Sequence, residues 1–119
     1  MLAGCFDFTD AATRLASDIE AGAGRVGSAN GARVTVEHRT PSKSGECEGN
    51  YKVQVDQVGA IIIWCKDKAG DETVSSHSTS HHARFVNAPR TYILEKKAGE
   101  TLLIDLERRN DRVVVVDAR

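Results

Sequence analysis

The sequence is poor in aromatic residues and in proline, and it lacks a long apolar run. Of its 119 residues, 5% are aromatic and two are proline. The longest apolar stretch, Val58 to Cys65, is far shorter than the roughly 18 residues that a membrane-spanning helix needs. The sequence therefore predicts no membrane span, and its length predicts one domain with a modest core.

Charge of one sign is also missing. Sixteen Lys and Arg residues oppose seventeen Asp and Glu residues, which gives a formal net charge of −1 with the signs interspersed. No broad positive field is available to hold a phosphate backbone. We therefore predict no nucleic-acid partner.

Signatures of catalysis are absent as well. The serines lack a Gly-x-Ser-x-Gly elbow, and the glycine-rich stretch from Gly22 to Gly31 precedes a strand pattern, so it cannot place phosphates at a helix N-terminus. Neither Cys-x-x-Cys nor His-x-Glu spacing occurs. We favour a protein without enzymatic activity.

Apolar periodicity predicts one helix followed by strands. Phe8, Ala12, Leu15 and Ile19 recur on one helical face, so we expect a helix from Phe8 to Ala21 and a linker from Gly22 to Gly31. Period-two patterns and turn residues then predict seven strands, with the last three forming a meander. The predicted strands are Arg33 to His38, Tyr51 to Val55, Ala60 to Lys66, Thr73 to Val86, Thr91 to Lys96, Thr101 to Glu107 and Arg112 to Asp117. The fourth, rich in Ser and His, could equally be a loop.

These elements predict an α+β fold in which the N-terminal helix packs on a twisted antiparallel sheet or partial barrel of about seven strands. Both Ile61-Ile62-Ile63-Trp64 and Val113-Val114-Val115-Val116 present apolar side chains to both sheet faces, although one helix covers only one face. We favour closure into a barrel as the cover for the second face. Incomplete closure would leave a partner surface formed by Ile62, Trp64, Val114 and Val116.

Residues 2 to 5 read Leu-Ala-Gly-Cys, which resembles the lipobox at which bacterial lipoprotein precursors are cleaved and acylated. The resemblance implies that Cys5 carries a lipid, that residues 1–8 form an anchor segment before a domain at 9–119, and that the protein lies on the periplasmic side of the cell envelope. It also leaves Cys47 and Cys65 to pair as a disulfide in an oxidising compartment.

The sequence contains one cluster of potential metal ligands, formed by His77, His81 and His82. Zinc or copper is the ion that such a cluster would bind. On a strand, His77 and His81 would stand roughly 13 Å apart, too far for one ion. A loop would bring them together, and Asp71, Glu72 or His38 could then complete a site. We favour a solvated surface tract over a metal site.

The sequence as a whole indicates a small envelope lipoprotein that acts as a non-catalytic binding or assembly module, with a protein partner or a second copy of itself. Two alternatives remain open. One is a periplasmic metal-binding domain that uses His77, His81 and His82. The other is a soluble cytosolic domain, in which the match at Cys5 is accidental.

Overall fold

A computed structural model describes residues 11–40, 50–56, 60–66, 70–78 and 90–119. This part of the chain forms one helix and seven strands, which confirms the predicted α+β class. In chain order they are α1 (Ala11–Arg25), β1 (Arg33–Arg39), β2 (Asn50–Val55), β3 (Ala60–Lys66), β4 (Glu72–Ser78), β5 (Tyr92–Lys97), β6 (Thr101–Arg109) and β7 (Arg112–Ala118).

The strands form two antiparallel sheets. One has three strands in the order β1-β6-β7, and the other has four in the order β4-β3-β2-β5. Closure into one barrel, which we favoured from the sequence, is therefore wrong. The apolar strand β3 lies between two neighbours, as its apolar character on both faces predicts.

The predicted three-strand meander is also wrong, because β5 pairs with β2 and only β6 and β7 form a hairpin. Thr40, which follows β1, bonds to the turn at which the chain changes sheet. Its backbone N–H and its hydroxyl both donate to the carbonyl of Glu100, and the hydroxyl also lies 2.9 Å from the carbonyl of Lys97. These bonds attach the turn between β5 and β6 to the end of β1, so β6 enters the sheet beside β1.

Helix α1 packs chiefly against β1 and β4, which are each an outer strand of one sheet. Ala12, Leu15 and Ile19 are buried, as their spacing predicts. The backbone N–H of Ala12, which has no acceptor within its own helix, donates to the buried hydroxyl of Ser75 on β4 at 2.9 Å. Among the described residues, no helix is long and apolar enough to cross a membrane.

The helix continues through Gly22 to Arg25, so the predicted helix end and the start of the predicted linker are wrong. Gly22 is buried against β1 and β6, where a Cβ atom would overlap Val36 and lie 3.0 Å from Cδ1 of Leu106. The helix therefore keeps a glycine here for close packing. Glycine at this position is a contact requirement and does not end the helix.

Candidate functional site

The solvent side of the four-stranded sheet carries a cluster of apolar side chains, which we call the outer face: Val74 on β4, Ile62 and Trp64 on β3, and Ile93 on β5. Side chains alternate along each strand, so Ile61, Ile63 and Cys65 are buried in the core while Ile62 and Trp64 lie on the opposite side. In the registers of the sheet, Trp64 is opposite Val74 and Ile62 is opposite Gln54, which pairs with Ile93.

Two residues of the outer face are unusually open to solvent. Val74 is 48% exposed and Ile93 is 57% exposed, and these are the only exposed large hydrophobic residues in the described part of the chain. Single exposed apolar residues are common on proteins. Here two of them lie on one face, on the two edge strands of the sheet, with the half-buried Ile62 and Trp64 and the polar Gln54 and Lys52 between them.

Charged groups of both signs border the outer face. The ammonium group of Lys52 on β2 lies 4.9 Å from the centre of the Trp64 ring, and Glu95 on β5 is its cross-strand neighbour. A shallow groove of about 300 Å³ runs beside the tryptophan, with Glu72 on its far side. Its lining residues are Asn50, Tyr51, Lys52, Trp64, Cys65, Glu72 and Glu95.

The solvent side of the three-stranded sheet is different, because ion pairs cover it. Glu107 lies 2.7 Å from Arg33 and 2.9 Å from Arg109, and hydrogen bonds from Arg109 and Arg33 hold the pKa of Glu107 below its ordinary value. Asp105 accepts a hydrogen bond from the hydroxyl of Thr35 and lies 2.8 Å from Arg119. The Thr35 bond and the Arg119 pairing lower the pKa of Asp105.

The four residues of the predicted partner surface divide between the two sheets. Ile62 and Trp64 lie together on the outer face, but Val114 and Val116 lie on β7 of the three-stranded sheet. Val114 is only 7% exposed, and Val116 is half-buried at a register shift in the β6–β7 ladder. The structure therefore does not bring the two pairs together. It places Val74 beside Trp64, and Ile93 on the same face beyond Gln54, instead.

The sequence carried a signal for Ile93 but none for Val74. Ile93 is a large apolar residue on the side of β5 opposite Tyr92 and Leu94, whereas both sides of β4 are otherwise polar. Val74 lies between Thr73 and Ser75, and Ile93 precedes the half-buried Leu94. An apolar residue out of phase with its strand is a sign of an exposed surface.

The histidine cluster is only partly described. His81 and His82 lie outside the described residues, and His77 is half-buried on β4 opposite Ile61, where it takes part in other interactions. Within the described ranges, no group of three or more His, Cys, Asp or Glu residues could hold a metal ion. A zinc or copper site at His77, His81 and His82 stays a prediction.

Two of the three cysteines, Cys5 and Cys47, also lie outside the described residues. Cys65 is 1% exposed on β3, between Tyr51 of β2 and Thr73 of β4. The lipid on Cys5 and the Cys47–Cys65 disulfide both stay predictions.

A second concave region, the α1–β1 cleft, was not expected from the sequence. It has a volume of about 420 Å³ and opens beside His38, which was only an optional ligand of the predicted metal site. His38 on β1 is nearly buried, and its Nδ1 lies 2.6 Å from Oδ2 of Asp18 on α1. No pattern in the sequence links these two residues, because the contact depends on how the helix docks. The cleft is lined by Thr13, Arg14, Ser17, Asp18, His38 and Arg39.

Comparisons with known proteins add no family to these observations. No family model matches the chain, and neither the curated proteins nor the solved structures include one that is significantly similar to it.

Proposed function

We propose that the protein is a non-catalytic assembly module that docks through its outer face onto a second copy of itself. The observation that carries the proposal is the position of Val74 and Ile93. They are the exposed large hydrophobic residues of the described chain, and both lie on the outer face: Val74 is opposite Trp64, and Ile93 is separated from Ile62 by Gln54. Tryptophan is strongly enriched among the residues that dominate binding energy at protein interfaces.

The contrast between the two sheets supports this choice of surface. Ion pairs on the three-stranded sheet satisfy Asp105 and Glu107 within the molecule, so that side offers a partner little apolar area. The outer face of the other sheet offers apolar side chains that its own chain leaves in water. Removing apolar surface from water yields about 25 cal/mol per Å² before the costs of association are subtracted.

A second copy fits the charges of the outer face. Lys52 and Lys97 lie on this side of the sheet together with Glu72 and Glu95, so the two signs are mixed. Two identical faces that meet about a two-fold axis must complement themselves. A face of mixed sign meets this condition, because it can place Lys52 of one copy near Glu95 of the other without opposing like charges.

The proposal includes a location at the bacterial cell envelope, with a lipid on Cys5 and a disulfide between Cys47 and Cys65. The lipobox-like tetrapeptide at residues 2 to 5 supports the lipid. A lipid at one end of the chain would confine the copies to a membrane and raise their effective concentration, which favours a dimer of modest intrinsic affinity. Replacement of Cys5 by Ala, in a gene with an upstream signal segment, should move the protein from the membrane fraction to the soluble fraction.

Sedimentation equilibrium over a concentration series tests the docking surface in solution. We expect the unmodified protein to form dimers, and the double variant Val74→Ser, Ile93→Ser to associate at least about tenfold more weakly, since about 1.4 kcal/mol of lost association energy corresponds to tenfold. Both positions are exposed, so the variant should stay folded. Its thermal midpoint, measured in parallel, checks this.

Leu103→Ser is the matched control. Leu103 is a half-buried aliphatic residue on the solvent side of the three-stranded sheet, and its loss should leave the dimer intact. A protein that stays monomeric up to its solubility limit would overturn self-docking. Equal weakening by the control and the double variant would show that another surface holds the copies together.

A further inference from the structure

The edge of the four-stranded sheet at β5 is a second surface, separate from the outer face. Among the described strands, β5 pairs only with β2, and β7 comes near it without forming a ladder. A strand at such an edge presents a row of backbone N–H and C=O groups that can pair with another strand. The hydrogen bonds around β5 identify which of these groups are open.

Backbone groups of β5 point alternately toward β2 and away from it. At Lys97 they point away, because its N–H donates to Oε1 of Glu100 at 2.6 Å and its carbonyl accepts from the hydroxyl of Thr40. Alternation then turns the N–H and C=O groups of Ile93 and Glu95 away from β2 as well.

The other side of the ladder agrees with this assignment. The N–H of Asp56, at the end of β2, donates to the carbonyl of Ala60 on β3 at 2.8 Å. Alternation along β2 therefore turns the groups of Val53 toward β5, where its register partner is Leu94. Leu94 bonds to β2, and its two neighbours in the chain point outward. In the described part of the chain, no backbone hydrogen bond reaches those neighbours from outside the sheet.

The open part of this edge is short and is centred on Ile93. Toward the end of β5, the backbone of Lys97 is already bonded, and Lys96 is half-buried on the core side of the strand. A charged side chain that points inward from an edge strand discourages pairing there. The open groups are therefore those of Thr91, Ile93 and Glu95, which are all exposed residues.

The other three edge strands of the described chain lack such an open, regular edge. Helix α1 packs against β1 and against β4. Strand β7 is irregular, because Val116 is the extra residue at the register shift of its ladder with β6. Bulges of this kind twist an edge away from pairing. Strand β5 has neither feature.

We propose that β5 pairs in antiparallel orientation with β5 of a second copy, so that the two four-stranded sheets become one continuous sheet. Two identical antiparallel strands are related by a two-fold axis, and the contact is therefore self-complementary. Symmetric pairing of the whole open segment places Ile93 opposite Ile93 of the second copy and Thr91 opposite Glu95. Each of these pairs exchanges two hydrogen bonds, which gives about six in all.

The side chains favour this register. The two Ile93 side chains, each 57% exposed in the single copy, meet at the axis on the outer side of the sheet. Pairing centred on Glu95 would instead place two carboxylates directly opposite each other, which is destabilising. The open segment thus complements itself, and this favours a second copy over an unrelated strand.

Edge pairing goes beyond the outer-face dimer and does not depend on it. In the continuous sheet the two outer faces lie side by side and do not cover each other. A copy that used both contacts would have two different two-fold interfaces, which build assemblies larger than a dimer.

Hydrogen exchange of backbone amides, followed by NMR over a concentration series, tests the pairing without any substitution. We expect the amide protons of Ile93 and Glu95 to exchange at least about tenfold more slowly in concentrated than in dilute protein. The amide of Asp111, in the exposed turn between β6 and β7, is the control and should not respond. Fast exchange of the β5 amides at every concentration would overturn the proposal. Slow exchange in the dilute monomer would also overturn it, because the edge would then be covered already.

Two substitutions at position 95 isolate the backbone contribution. Glu95→Pro removes an N–H that faces outward, a position at which an edge strand accepts proline. Glu95→Ala removes the same side chain but keeps the N–H, so it is the matched control. The concentration dependence at the Ile93 amide should persist in Glu95→Ala and disappear in Glu95→Pro. Equal behaviour of the two variants would contradict edge pairing.

Val74→Ser distinguishes this contact from outer-face docking, because Val74 lies on β4 at the far edge of the sheet. The variant should weaken outer-face docking and leave the protection of the Ile93 and Glu95 amides unchanged. Loss of that protection in Val74→Ser would mean that docking of the outer face causes it, and would overturn edge pairing. Protection that persists in a protein whose association Val74→Ser does not weaken would support edge pairing and reject outer-face docking.

Discussion

Gly22 on α1 lies so close to Val36 on β1 that any side chain at position 22 would overlap the valine. The contact sets the distance between the helix and the three-stranded sheet. Val36 is itself buried and β-branched, so it has little freedom to move aside. The helix and the three-stranded sheet can therefore approach this closely only because Gly22 has no side chain.

Gly22→Ala should destabilise the protein, although alanine is the better helix former by about 1 kcal/mol. Overpacking of a core contact costs typically 1–3 kcal/mol, so after the helix-propensity gain we expect a net loss of up to about 2 kcal/mol in the free energy of unfolding, measured with urea. Gly24→Ala is the control, because Gly24 lies on the exposed side of the same helix and should gain stability. If both variants are more stable than the unmodified protein, the close contact at Gly22 does not constrain stability.

Thr40→Val should also lower stability. The Thr40 hydroxyl is almost fully buried and donates to the carbonyls that hold the turn before β6. Valine keeps the shape but removes the hydroxyl bonds to these part-buried carbonyls, each of which keeps a backbone donor, so we expect a loss of about 0.5–1.5 kcal/mol in urea unfolding. Thr91→Val removes an exposed bond to Asp56 and serves as the comparison. We expect a clearly smaller loss there, and an equal loss would refute the special role of Thr40.

Stability should fall at acid pH through the ion pairs of the three-stranded sheet. The pKa values of Asp105 and Glu107 are lower in the folded protein than in the unfolded chain. Their contribution is therefore complete above the ordinary carboxyl value of about 4, and it is lost as the pH falls through the lower folded values. Free energies of unfolding, measured from neutral pH down to about pH 2, should show this loss.

Asp105→Asn isolates part of this effect. The variant should be less stable than the unmodified protein at neutral pH, and the difference should shrink as the pH falls, because protonation removes the same charge. Asp111→Asn, in the exposed turn between β6 and β7, is the control and should leave the acid dependence unchanged. A difference for Asp105→Asn that stays constant with pH would contradict the assignment.

The cysteines give a chemical prediction. If Cys47 and Cys65 are bonded, the denatured, unreduced protein from an oxidising compartment, with Cys5 unmodified, should contain one free thiol. Closing a loop of this length stabilises by roughly 3 kcal/mol in the chain-entropy model, so Cys47→Ser should lower stability by a similar amount. Three free thiols in the unmodified protein would exclude the bond.

Local sequence patterns predicted the helix and most of the strands, but they did not predict how these elements assemble. The spacing of Ala12, Leu15 and Ile19 predicted the buried side of α1, and alternation predicted the buried sides of β1 and β2. The change of sheet between β5 and β6 could not be read in this way, because the contacts there, such as those between Thr40 and a turn about sixty residues further along the chain, are long-range. Such bonds leave no periodic trace.

The candidate sites show the same division. Ile62 and Trp64 were predicted because an apolar strand exposes both faces, whereas their grouping with Val74 and Ile93 follows from sheet order and register. The pairing of His38 with Asp18 follows from the docking of α1 on β1. Residues that meet through docking of separate elements need the structure, since no spacing along the chain encodes the contact.

The four-stranded sheet is an insertion within the three-stranded one, since β2 to β5 follow β1 and precede β6. Arg39 and Thr101 face each other across the β1–β6 ladder with the entire second sheet between them in the chain. Closing so long a loop has a high entropic cost, which falls once the intervening strands have folded. We therefore expect backbone amides of β2 and β3 to gain protection from hydrogen exchange before those of β1 during refolding. Earlier protection of β1 would show that the two sheets assemble in the opposite order.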